Sequence, residues 1–63
     1  MFVSVAIDLA LDRLFTYAVP VELTEKLLVG QLLRVPFSGR IARGFALALT
    51  EEAPAFKTRP VLA

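Results

Sequence analysis

Apolar and polar positions alternate over residues 2–9, with Val3, Val5, Ile7 and Leu9 on one side and Ser4, Ala6 and Asp8 on the other. Successive side chains of a strand point to opposite faces, so a period of two carried by β-branched residues predicts a half-buried strand. Asp12-Arg13 breaks the pattern. Residues 14–19 resume it, with Phe15, Tyr17 and Val19 sharing a face, until Pro20 stops it. Two short strands across a tight polar connection predict a hairpin.

Residues 21–29 are the one stretch where a helical start is plausible: Pro20 precedes it, and Glu22 and Glu25 suit a first turn. Gly30 ends it after barely two turns, so the expectation is a single helical turn or an irregular loop. Residues 31–37 return to a strand, with Leu33, Val35 and Phe37 on one face and Leu32 and Arg34 on the other. Pro36 has no N–H to donate, which places this strand at an edge or ends it there. Ser38-Gly39-Arg40 is the clearest turn signal of the chain. Residues 41–50 form the longest predicted strand. Arg43, Phe45, Leu47 and Leu49 are expected on one face, and Ala42, Gly44, Ala46 and Ala48 on the other. A face built only of Gly and Ala requires a close neighbour. After the loop at Glu51-Glu52-Ala53-Pro54, residues 57–62 are expected to form a last strand. The fold class is therefore all-β, a small open barrel or roll of about five short strands with at most one short helical turn.

Size and composition narrow the picture. A chain of 63 residues buries only about 60% of the surface its unfolded form exposes. The usual supplements for so small a core are disulfides, a structural metal or a partner surface. With no Cys and no His, the first is excluded and a Cys/His zinc site with it. The apolar fraction is 57%, above the usual range of about 45–50%. The longest charge-free run is the eight residues 14–21, far below the roughly 18–20 that a membrane span needs. No basic stretch opens the chain, so no secretory signal and no membrane partner are expected, and the expected location is cytoplasmic. No loop or cap follows the last predicted strand before Ala63. Residues 1–63 are therefore expected to be the N-terminal part of a larger domain, leaning on the rest of its own chain.

Charge is unevenly placed. Residues 1–33 carry two bases and four acids, a net −2, and residues 34–63 carry five bases and two acids, a net +3. Arg34, Arg40 and Arg43 fall within ten residues that hold no acid. Such a run is either a solvated loop or a contact for a phosphate backbone. Catalytic chemistry lacks its parts: there is no His, no Cys, no phosphate-binding loop and no G-x-G-x-x-G. Asp8 and Asp12 near a turn read as solvation, and the chain is not expected to be an enzyme.

Four segments in register resemble one family. Asp12-Arg13-Leu14-Phe15-Thr16-Tyr17-Ala18-Val19-Pro20 resembles the "Asp or Pro, Arg-x-Phe-x-Tyr-x-x-Pro" signature near the start of primosomal protein N′, the PriA replication-restart helicases. Gly30-Gln31-Leu32-Leu33-Arg34-Val35-Pro36-Phe37 resembles the "G-x-x-V-x-V-P-F-G" strand that follows. Arg40 with Gly44-Phe45-Ala46-Leu47 is similar to its "R-x-x-x-G-x-V-V" strand, and Arg59-Pro60-Val61-Leu62 to its "K-P-V-L" segment.

The resemblance implies a DNA-binding module that caps the 3′ end of the nascent leading strand at an arrested fork. It implies ATP with Mg, zinc, and 3′-5′ helicase activity in a remainder of the protein that these residues do not include. Primosome components and single-stranded DNA-binding protein are the partners implied besides forked DNA. Carried over by position, the implied 3′-end pocket is Phe15, Thr16, Ser38, Gly39 and Arg59, with Arg40 and Arg43 on the DNA backbone. Phe15 thus has two readings, core by alternation and pocket by resemblance, while Tyr17 stays in the core. Thr16 stands where the family usually has Asp, and Ser38 where it has Gly. A hydroxyl offers one donor and two lone pairs, and a carboxylate accepts only. A free 3′ hydroxyl is expected to enter such a pocket, and a continued strand or a 3′-phosphate to fit badly. The rival reading is a β-roll that docks on the helicase core or another primosome component without touching DNA.

Overall fold

The computed structural model describes residues 1–8 and 13–62. Strands β1 (Phe2–Ile7), β2 (Leu14–Ala18), β3 (Leu32–Phe37) and β4 (Arg40–Thr50) form one antiparallel sheet in the order β2-β1-β4-β3. β1 and β2 pair as the predicted hairpin, from Phe2 opposite Ala18 to Ala6 opposite Leu14. Leu9 and Asp12, which the sequence reading placed on the first strand and in the break after it, lie outside the described residues. Residues 21–29 hold only a single 3₁₀ turn, Val21–Leu23, whose N–H of Leu23 donates to Pro20 O at 2.9 Å.

Alternation translates directly into burial on β1. Val3, Val5 and Ile7 are fully buried, and each contributes about 1.5–3 kcal/mol by leaving water. Leu33 and Val35 from β3, Ala42 and Ala46 from β4, and Tyr17, Val19, Leu27 and Val61 complete the core. The small face of β4 meets β1 across it. Gly44 stands opposite Ile7, and a methyl group there would collide with the Val5 side chain and lie 3.0 Å from Ala6 O. The close neighbour that the Gly/Ala face required is therefore β1.

One expectation about β4 fails at its far end. Ser4 faces Ala48, but Val5 faces Ala46, so Leu47 is the extra residue of a β-bulge. A bulge reverses which side successive residues face. Beyond it Leu49 packs against the core and Ala48 is exposed, the opposite of what unbroken alternation predicts.

The fifth strand is also corrected. Residues 57–62 make a single parallel bridge, Ala18 with Pro60, and no ladder. Pro60 has no N–H, so pairing cannot run through it. The segment instead ties together the two open edges of the sheet. Ala18 N–H donates to Arg59 O at 2.9 Å, Val61 N–H returns to Ala18 O at 2.9 Å, and Leu62 N–H crosses to Arg34 O on β3 at 2.8 Å. Tyr17 adds a side-chain link, its hydroxyl donating to Pro36 O at 2.8 Å. β2 and β3 are edge strands in the sheet order, and these contacts roll them toward each other into an open barrel.

Candidate functional site

The β3–β4 turn is built from two residues, since Phe37 pairs with Arg40 across it. Ser38 and Gly39 both have positive φ, 50° and 75°. A two-residue hairpin with both central residues left-handed matches the right-handed twist of its strands. Gly39 adopts this freely; Ser38 does so against the clash of its Cβ. The turn brings its backbone to the mouth of the barrel, between the β2 edge and the segment before Pro60.

A cavity of about 530 Å³ opens there, within the range of small-molecule sites, about 300–1,000 Å³. Phe15, Thr16, Ser38, Gly39 and Arg59 all line it. They come from three separate segments, and the mouth of the barrel brings all five together. Arg40 and Arg43 do not line it. Arg40 is exposed at the start of β4, next to Gly39. Arg43 projects from the outward side of β4, where its guanidinium meets the Asp8 carboxylate at 3.2 Å with both side chains exposed.

Aromatic rings form one wall. Phe15 and Phe37 meet edge to face with centroids 5.1 Å apart, the arrangement their quadrupoles favour. The Arg13 guanidinium lies 5.7 Å from the Phe15 ring centroid, in cation–π range. Phe15 packs against the core and also lines the cavity. Tyr17 is buried in the core, as alternation predicts, and lines the cavity from below. Burial pushes its phenol above the ordinary tyrosine value, and the Arg59 charge offsets part of that rise.

The rim adds residues that sequence reading missed: Arg13, Phe37, Phe56, Lys57 and Thr58. Phe56 is 61% exposed, the most open ring of the cavity and the one freest to stack on a ligand. The signal for it was present in Phe56-Lys57-Thr58-Arg59, an aromatic beside two bases, but the expectation of a strand over residues 57–62 left Phe56 in the preceding loop. Among the described residues no group of three His, Cys, Asp or Glu comes together to hold a metal, and no helix is long and apolar enough to cross a membrane.

Comparison with known families identifies this architecture. The family model of the PriA 3′ DNA-binding domain matches residues 4–63. No curated protein and no solved structure matches the chain significantly. The family match spans β2, β3, β4, all of β1 except Phe2 and Val3, and each of the segments that line the cavity. The chain belongs to the PriA 3′ DNA-binding domain family.

Proposed function

We propose that this domain seats the 3′ end of a DNA strand in the cavity at the barrel mouth, and that its role is recognition of nascent leading-strand ends at arrested replication forks. One observation carries the reading: the cavity collects aromatic rings, hydroxyls and cations around a space sized for one nucleotide. A terminal base stacks on Phe56 or against Phe15, a contact worth roughly 1–3 kcal/mol. Thr16 and the Ser38-Gly39 turn approach the sugar, and Arg59 and Lys57 take the adjoining phosphate. Arg40, exposed beside the turn, extends the path of the backbone. Arg43 contributes less, because Asp8 already balances its charge. ATP hydrolysis, zinc binding, strand separation and the recruitment of primosome components or single-stranded DNA-binding protein fall to parts of such a protein other than residues 1–63. The domain works inside the cytoplasm, where replication forks are.

The test compares a linear strand bearing a free 3′ end with a circular strand of the same composition. The linear strand binds more tightly, and two to three phosphate contacts give a log–log salt slope of about −1.5 to −2. Arg59→Ala weakens the linear strand by the roughly 1.5–3 kcal/mol of a charge-assisted hydrogen bond and the circle by less. Equal binding of line and circle sinks the end pocket.

A second reading rests on the outward side of the sheet. Leu14, Ala6, Phe45 and Leu32 stand in one row across all four strands, with Leu14, Phe45 and Leu32 exposed. That row suits docking on the helicase core or another primosome component. Phe45→Glu leaves DNA ends bound if the two surfaces act separately, and binding of the row's partner is what it removes.

A further inference from the structure

Arg34 and Arg43 stand directly opposite each other where β3 pairs with β4. Leu33 and Val35, on either side of Arg34, are buried, as are Ala42 and Gly44 on either side of Arg43. Both arginines therefore leave the outward side of the sheet, and both are exposed. The backbone bonds fix how close they come. The Arg34 carbonyl accepts from Leu62 N–H at 2.8 Å and the Arg43 carbonyl from Asp8 N–H at 2.8 Å, so neither bonds the other strand. Such a pair is non-hydrogen-bonded, the kind whose Cα atoms approach to about 4.5 Å and whose side chains lie closest. Like charges directly opposite destabilise a sheet. Among the described residues one carboxylate answers them: Asp8 meets Arg43 at 3.2 Å, and Arg34 has no acidic partner. Two guanidiniums and one carboxylate leave a single positive charge over a seat that a further anion can bridge.

On the strand-end reading above, we infer that Arg34 and Arg43 form a second anion seat, which holds an internal phosphodiester of the strand whose 3′ end occupies the cavity. Position supports this. Pro36 lines the cavity and stands two residues from Arg34 on the same side of β3. Two residues of strand span about 7 Å. A DNA strand covers that in about two nucleotides at the duplex rise of about 3.4 Å, and in fewer when drawn out. A strand that leaves the cavity over Pro36 thus brings a phosphate upstream of its end across the pair. Charge supports it too, since a phosphodiester carries one negative charge and one positive charge is left uncompensated. Arg34 presents a free planar fork to two of the phosphate oxygens, while Arg43 is shared with Asp8. An acidic peptide would meet the same charge, but continuity with the cavity favours the strand. The seat touches no base, so it adds affinity and no sequence preference.

The experiment measures binding of the intact protein to a dinucleotide and an octanucleotide that share a free 3′ hydroxyl. A third strand is the octanucleotide with its upstream linkages replaced by neutral methylphosphonates. Arg34→Gln removes the charge of an exposed side chain and leaves the backbone bond to Leu62 in place. The octanucleotide is expected to weaken about threefold, the size of an exposed charge pair. Its log–log salt slope becomes shallower by about 0.7. The dinucleotide and the neutral strand bind the variant as they bind wild type. Asp8→Asn, which frees Arg43, tightens the octanucleotide and spares the dinucleotide. An octanucleotide that Arg34→Gln leaves unchanged, or a loss equal for all three strands, overturns this inference. The strand-end reading then still stands on the preference for a linear strand over a circle. A circle that binds as tightly as the octanucleotide, and weakens equally in Arg34→Gln, overturns both, because the arginines then hold any strand and no end is seated. Failure of Asp8→Asn to tighten the octanucleotide overturns the shared seat. An acidic peptide released by Arg34→Gln, with every strand bound as before, overturns the assignment to DNA.

Discussion

Tyr17→Phe removes one oxygen from the centre of the closure between the sheet edges. The hydroxyl donates to Pro36 O at 2.8 Å, joining edge strands β2 and β3 across 19 positions of sequence. The ring itself is buried and stays so in the variant, which confines the loss to the hydrogen bond. A net bond of this kind contributes about 0.5–1.5 kcal/mol. The Pro36 carbonyl lines an open cavity where water can reach it, so the middle of that range, about 1 kcal/mol, is the expected loss. In a domain this small that lowers Tm by about 4–8 °C. The phenol also gives the bond a pH signature. Burial raises its folded pKa above the unfolded value near 10, with Arg59 offsetting part of the rise. The unfolded phenol therefore loses its proton first. The contribution is complete below pH of about 10 and disappears as pH climbs through the folded value. Wild type should weaken in that alkaline window, and Tyr17→Phe should not. The chain has one tyrosine and no tryptophan, so tyrosinate absorbance reports this hydroxyl alone. A folded-state titration at or below the unfolded value, or a variant as stable as wild type at neutral pH, would refute the buried hydrogen bond and with it the side-chain part of the closure.

Gly44→Ala drives a methyl into the Val5 side chain and the Ala6 carbonyl, and chemical denaturation should show a loss of about 1–3 kcal/mol with β1 and β4 forced apart. Ser38→Gly relieves a positive φ that a side chain resists, so the same measurement should show a gain of about 1 kcal/mol; a loss means that the Ser38 hydroxyl is holding the turn. Thr16→Asp places an acceptor in the cavity: titrations should show better discrimination of a hydroxyl end from a circular strand. Equal weakening of both strands would mean that Thr16 does not face the terminal nucleotide.

The fold was legible wherever burial depends on alternation alone. Val3, Val5 and Ile7, then Leu33 and Val35, carry a pattern with one physical solution, since a slip by one residue would turn each set to solvent. The Gly/Ala face of β4 announced a close approach, and Gly44 against β1 is that approach. Legibility ended where a tertiary contact decides the outcome. Nothing in the run from Phe45 to Thr50 marks Leu47 as the extra residue of a bulge; the register with Ser4 and Val5 does that, and it exists only after β1 and β4 have met. The assumption of a strand over residues 57–62 failed for a related reason. Lys57 to Leu62 carries no alternation, and Pro60 and the lack of a neighbouring ladder leave it one bridge.

The site divides along the same line. Composition and periodicity gave an all-β chain with a basic second half, and could not separate Phe15 as core from Phe15 as pocket. The family resemblance, carried over residue by residue, named five positions that the structure finds lining one cavity. Local features cannot reveal which distant segments meet. The backbone bonds that close the barrel, from Ala18 to Arg59 and Val61 and from Leu62 to Arg34, are also what bring residues 56–59 up to the β3–β4 turn. Closure and site are therefore one event. Phe56, Lys57 and Arg59 belong to the cavity only while Val61 is seated in the core, where it is 2% exposed. A cavity left by Val61→Ala should loosen the end pocket as it lowers stability, although residue 61 does not line that pocket.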